Sequence, residues 1–235
     1  MDIKLHFPDW SLTDTEGARP EWDYEPCSRY DNNTYTDDHP YPDCIGKITE
    51  NLFLGAGSSI LKPNNFDYFK KWIEDNNIKL IISGTNIGND STEYVRNLAK
   101  TSDIIFFETE IEKIRPRIES DDLKDYIPLF KVYDEIYELY KEITASEDNN
   151  ILVYCRAGQD RSALIVQSIL LNIEIEKSIY PNISSNFNYM KQFRPDVAAA
   201  PNKENNRIYL NKYLNYKIAK MYLNLINIFD SVRRN

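Results

Sequence analysis

Cys155-Arg156-Ala157-Gly158-Gln159-Asp160-Arg161-Ser162 follows the apolar run Ile151-Leu152-Val153-Tyr154 and precedes a run of helical character from Ala163 to Leu171. A strand therefore feeds a tight loop that opens a helix. Such a loop turns successive backbone N–H groups toward one point, at the positive end of a helix, where an anion is stabilised. The same field holds a cysteine at the loop's start as thiolate. An arginine at its end can grip two phosphate oxygens with its planar fork. A dianionic phosphoryl group fits the cradle, and the thiolate can attack it.

Spacing alone is weak evidence, since Cys and Arg six positions apart arise by chance. Gly158 between them, with an apolar strand before and a helix after, is far more restrictive. The loop resembles the signature loop of the cysteine-dependent protein tyrosine phosphatases, and the rest of the chain is similar to their dual-specificity branch. Ile48-Thr49-Glu50-Asn51-Leu52-Phe53-Leu54-Gly55 resembles that branch's opening strand and glycine turn. Phe193-Arg194-Pro195, with Pro201-Asn202 after it, resembles the segment beyond the signature helix. The resemblance runs from about Ile45 to Tyr216. It departs from the family at Tyr154, where His is usual.

The resemblance implies roles. Cys155 is the expected nucleophile and Arg161 the expected phosphate grip. The backbone of Arg156, Ala157, Gly158, Gln159, Asp160 and Arg161 is the expected phosphate cradle, and Ser162 a hydrogen-bond donor to the cysteine sulfur. Arg156 and Asp160 are expected to line the pocket as well. There Arg156 would attract acidic phosphopeptides and Asp160 repel highly charged ligands such as inositol polyphosphates. The leaving group needs a proton, which in the family comes from an Asp in the loop before the long helix. Counting back from Phe130 places that position near Ser120–Asp121, so Asp121 is the first choice, Asp122 the second and Glu112 the third. Asp121 and Asp122 also suit a plainer role, as carboxylates favoured at a helix N-terminus.

The resemblance implies a protein phosphatase acting on phosphotyrosine and phosphoserine/threonine through a phosphocysteine, with a phosphoprotein as substrate and without metal or cofactor. Two other functions use the same loop. An RNA 5′-triphosphatase would need to hold a polyanion, which a net charge of −9 and a pI near 4.9 disfavour. A non-catalytic phosphoprotein-binding module would not need both Cys155 and Arg161, but Tyr154 and the unplaced acid are compatible with it. Nucleic-acid binding is not expected. His6 and His39 are the only histidines and lie far from Cys155 in sequence, which weakens a Cys–His protease reading and leaves no Cys/His cluster at zinc spacing.

Cys27, Cys44 and Cys155 do not make a disulfide framework. No leader or membrane-length apolar run stands out, and Asp2 occupies the position where myristoylation needs Gly. An intracellular, cytoplasmic protein with no membrane partner is expected. The bias toward Asn, Ile, Lys and Tyr is what an AT-rich genome imposes, as in some viruses and unicellular parasites.

The chain divides into an extension at 1–46, rich in Asp, Pro, Thr and Tyr, and a catalytic domain at 47–235. The aromatics Phe7, Trp10, Trp22, Tyr24 and Tyr30 predict that the extension packs as an arm. Strands are expected at Ile48–Leu54, Ile78–Ser83, Ile104–Phe107 and Ile151–Tyr154. Helices are expected from Asn64/Asn65 to Asp75, from Ser91 to Lys100, over Leu123–Tyr140, over Ala163–Leu171 and over Ser184–Phe193. Glu204–Val232 reads as one long helix or two. Alternating strands and helices predict an α/β fold, a mainly parallel central sheet with helices on both faces and the site at the strands' carboxyl ends.

Overall fold

The computed structural model describes residues 45–85, 88–109, 111–116, 122–194, 197 and 203–233. The expected arm therefore lies almost wholly outside the described residues, as do Asp121, Pro195, Pro201 and Asn202.

Five strands form one sheet in the order β1-β2-β5-β3-β4: β1 is Ile45–Lys47, β2 Leu52–Ala56, β3 Ile78–Ser83, β4 Ile105–Glu108 and β5 Asn150–Cys155. Strands β2, β5, β3 and β4 run parallel to one another, and β1 alone runs antiparallel, against β2. The helices are α1 Gly57–Ile60, α2 Phe66–Asp75, α3 Asn89–Thr101, α4 Ile111–Ile114, α5 Ile127–Thr144, α6 Arg161–Glu176, α7 Ile183–Phe193 and α8 Lys203–Arg233. The last is one continuous helix. Pro128 sits in the first turn of α5, where its missing N–H costs nothing.

Side chains alternate across the sheet, and each face carries its own core. Leu52, Leu54, Leu80, Ile82, Ile151 and Val153 face α5, α6, α7 and α8, where they meet Phe130, Tyr133, Leu164, Met190 and Tyr213. Phe53, Ile78, Ile81, Leu152 and Tyr154 face α1, α2 and α3, where they meet Ile60, Phe69, Ile73 and Val95. Complete burial of one such Leu or Ile is worth about 1.5–3 kcal/mol. Near-continuous apolar runs in β3 and β5 follow from burial on both faces.

The first expected strand is corrected. Ile48 to Asn51 form a turn rather than the start of a strand: Ile48 N–H donates to the Leu52 carbonyl at 2.7 Å, and the pairing strand on the far side of the turn is Ile45–Lys47. Ile48 is apolar because it is buried in the turn, not because it is extended. The Asn51 amide fixes the turn by donating to the Glu147 and Asn149 carbonyls, each at 2.9 Å.

Candidate active site

Register brings the site together. Ala56 of β2 lies opposite Cys155, and Ser83 of β3 lies opposite Tyr154, so three parallel strands end together beneath the signature loop. Gly84 N–H donates to the Tyr154 carbonyl at 2.8 Å, and Ser58 donates from both its backbone N–H (2.9 Å) and its hydroxyl (2.7 Å) to the Arg156 carbonyl. These bonds engage the carbonyls that flank Cys155 with the neighbouring segments. The N–H groups of Ala157, Gly158 and Gln159 donate to no group among the described residues. That is the arrangement an anion cradle needs.

Gly158 adopts φ +71°, and a Cβ there would lie 2.8 Å from the Gly55 carbonyl oxygen and 3.0 Å from a guanidinium nitrogen of Arg194. Only glycine tolerates both conditions. Arg194, 2% exposed, threads its side chain past Gly46 to reach the back of the loop. In sequence it was only part of an Arg-Pro resemblance. Its contact with Gly158 joins residues 36 positions apart and leaves no local signal.

Cys155 ends β5 with 1% of its surface exposed, and the Ser162 hydroxyl donates to its sulfur at 3.1 Å. Arg161 is the first residue of α6. Its Nη1 lies 2.7 Å from Glu112 Oε1, while its Nε is buried and meets no acceptor among the described residues. Arg156 and Ala157 are exposed at the loop's rim.

Asp160 differs from expectation. Its carboxylate is turned toward α4 and α8, accepting from Arg115 at 3.3 and 3.4 Å and from the Asn206 amide at 2.7 Å. The physical reason is that both partners lie at a buried seam, where an unpaired carboxylate would be costly.

The candidate acids separate. Of the candidates among the described residues, Glu112, on the one-turn helix α4, is the one brought to the loop, at Arg161. Asp122 caps the 3₁₀ turn Leu123–Tyr126 by accepting from the Lys124 N–H at 2.9 Å. Asp121 lies outside the described residues. Glu112 was reachable in sequence as a carboxylate just after β4, but only the turn of α4 aims it at Arg161.

Tyr154 is a core residue with no exposed surface, on the α1–α3 face of the sheet. Burial pushes its hydroxyl well above the ordinary tyrosine value, which Ser83 partly offsets. The Ser83 hydroxyl donates to the Thr85 carbonyl at 2.7 Å, and the Tyr154 hydroxyl has no partner of good geometry. Among the described residues no group of His, Cys, Asp and Glu could hold a metal ion, and no helix is long and apolar enough to cross a membrane.

The sheet order, the loop between β5 and α6 and the helices on both faces make a protein-tyrosine-phosphatase-like fold. The solved structure of PTPMT1 matches with a TM-score of 0.53 over 75% of this chain and 99% of that one, at 14% identity. A variant of human DUSP28 matches over 76% and 99% of the two chains, with 15% identity and a TM-score of 0.48. DUSP15 matches over 74% and 87%, with 16% identity and a TM-score of 0.48. No family model and no curated protein sequence matches the chain.

Proposed function

We propose that the chain is a metal-independent phosphatase that hydrolyses phosphotyrosine and phosphoserine/threonine in proteins. The observation that carries this reading is the Ser162–Cys155 contact at 3.1 Å, on the loop that also bears Arg161. A sulfur buried at the foot of an amide-lined loop, with a hydroxyl aimed at it, is arranged for a reversible covalent bond.

In the first step the Cys155 thiolate forms an S–P bond as the P–O ester bond breaks. Loop N–H groups and the Arg161 fork take up charge on the equatorial oxygens. The leaving oxygen receives a proton from a carboxylic acid. In the second step that carboxylate takes a proton from water, the water oxygen bonds to phosphorus, and the S–P bond breaks. Ser162 stabilises the departing thiolate, and inorganic phosphate leaves. We assign the acid to Glu112, whose position beside Arg161 supports the role. Phosphate entering the loop competes with Glu112 for the guanidinium, and the freed carboxylate takes up a proton before it meets the leaving group.

The test is hydrolysis, without metal, of an activated aryl phosphate, phosphotyrosyl and phosphothreonyl peptides and triphosphate-ended RNA. The first three should turn over and the RNA should not. Cys155→Ser should abolish turnover yet keep affinity for the phosphopeptides, because the loop amides remain. Arg161→Lys should lose most activity, since a point charge cannot replace the fork. Normal turnover by Cys155→Ser would sink the mechanism. Binding without turnover in the unaltered chain would instead indicate a phosphoprotein-binding module.

A further inference from the structure

Arg115 follows α4 directly, and its N–H closes that helix on the Ile111 carbonyl at 2.8 Å. Its guanidinium meets Asp160 of the signature loop through both terminal nitrogens, and Nη2 also reaches the Asn206 side-chain oxygen at 3.3 Å. Asn206, on α8, returns its amide to the Asp160 carboxylate at 2.7 Å and to the Asp160 carbonyl at 3.4 Å. The Arg115 guanidinium stacks over the Tyr209 ring at 5.2 Å, and the Tyr209 hydroxyl donates to the Pro116 carbonyl at 2.7 Å. Asn206 and Tyr209 are 4% and 2% exposed, and the Arg115 and Asp160 side chains 14% and 15%. This is a shielded network, in which a charged pair is worth far more than on an open surface.

From this geometry we infer that Arg115, Asp160 and Asn206 form a clamp that positions the acid-bearing turn over the signature loop. The inference rests on the phosphatase reading above. Glu112 and Arg115 belong to the same turn of chain. Arg115 is tied to Asp160, the residue before Arg161, and Glu112 is tied to Arg161 itself. The turn is short: Ile111, fully buried, and Ile114 pack it on the core, Glu112 ties it to Arg161, and the Arg115 network ties it to Asp160 and to α8. When phosphate displaces Glu112 from Arg161, the Arg115–Asp160 pair stays in place. The carboxyl is then free to meet the leaving oxygen without the turn drifting away. Positional error of about 1 Å can cost about 10²-fold in rate.

A positioning role differs from a merely structural one in what it spares. Loss of the clamp should resemble loss of the acid. Arg115→Gln and Asp160→Asn should each slow phosphopeptide hydrolysis by about 10- to 100-fold, a large part of the 10²–10⁴-fold that general acid catalysis supplies. Hydrolysis of an activated aryl phosphate, whose leaving group needs little protonation, should fall much less. Asp160→Asn is nearly isosteric and can keep a bond to Asn206, so it guards against a folding artefact in the Arg115 variant. Combining the two substitutions should add little to either alone, and Arg115→Lys should restore only part of the rate. Equal losses on both esters, unchanged leaving-group dependence, or simple additivity of the two substitutions would each overturn the clamp while leaving the phosphatase intact. Absence of turnover in the unaltered chain would remove the phosphatase reading itself, and the clamp with it.

Discussion

At the residue scale, Gly158 is constrained by its backbone and by its packing together. A Cβ at φ +71° costs about 1–2 kcal/mol in conformational strain, and here it would also strike the Gly55 carbonyl and Arg194. Gly158→Ala should therefore weaken phosphate binding and activity together while the remote core stays folded. Titration with inorganic vanadate or phosphate, beside a thermal melt, would check this. Tyr154 makes the opposite case. Its hydroxyl is buried, neutral and poorly partnered, so Tyr154→Phe removes nothing the loop uses. Turnover within twofold of the parent is expected, with a melting temperature that is unchanged or slightly higher; a large loss of activity would give the hydroxyl a role at the loop. The acid assignment is tested by comparing Glu112→Gln with Asp121→Asn. Glu112→Gln should be the one that slows phosphopeptides by about 10²-fold or more while sparing activated esters. The same selectivity in Asp121→Asn, with Glu112→Gln unaffected, would move the role to Asp121.

At the scale of elements, α8 is held to the domain by a second polar network. Asn172 of α6 donates to the Tyr213 hydroxyl at 2.8 Å, and that hydroxyl donates to Asp134 of α5 at 2.7 Å. Lys217 and Lys220 reach the same carboxylate at 3.0 and 3.3 Å. Burial pushes the Asp134 carboxyl up, but the hydroxyl and the two ammonium groups outweigh it and hold the group below its ordinary value. Because the folded value is the lower one, the stabilisation is present above the ordinary carboxylate range, near 3.8, and is lost as pH falls through the folded value. Asp134→Asn should lower the melting temperature at neutral pH, and the gap from the parent should narrow as pH falls below the ordinary carboxylate range. A gap independent of pH would show that the carboxylate's charge contributes nothing. Below the Arg115 clamp, Tyr133 is completely buried and its hydroxyl has no partner among the described residues. Tyr133→Phe should leave stability unchanged or raise it by up to about 1 kcal/mol, as denaturant titration would report.

On the scale of the whole molecule, charge is unevenly distributed. Of 28 cationic and 37 acidic side chains, residues 1–44 hold 3 and 11, so the remaining chain holds 25 and 26 and a net charge of −1. The acidic stretch joins the domain beside the site, since Ile45 pairs with Gly55, whose carbonyl abuts Gly158. A negative chain tethered there should repel acidic phosphopeptides. Deleting residues 1–44 should leave kcat on a small aryl phosphate nearly unchanged and lower KM for an acidic phosphopeptide. That difference should shrink as salt screens it over a Debye length of about 8–10 Å. A KM that stays the same at low salt would remove this electrostatic role.

The sequence by itself determined what depends on local order. Apolar runs and helical periods marked four of the strands and the principal helices, because strand and helix signals are written in spacing along the chain. The run from Cys155 to Ser162 carried the loop, the strand before it and the helix after it, because its turn and its amides are contiguous. Tertiary structure decided whatever depends on packing between distant segments. Ile45–Lys47 is a strand only because β2 offers it an edge, and Ile48 belongs to a turn because the core beneath it is apolar. Asp160 reads in sequence as a pocket residue. In the fold it faces Arg115 and Asn206, respectively 45 and 46 positions away, since an inward-facing carboxylate takes the donors that close-packed elements present. Glu112 and Arg161 are likewise 49 residues apart in number and 2.7 Å apart in space. No spacing rule connects them, because their meeting depends on how α4 packs against the core through Ile111 and Ile114.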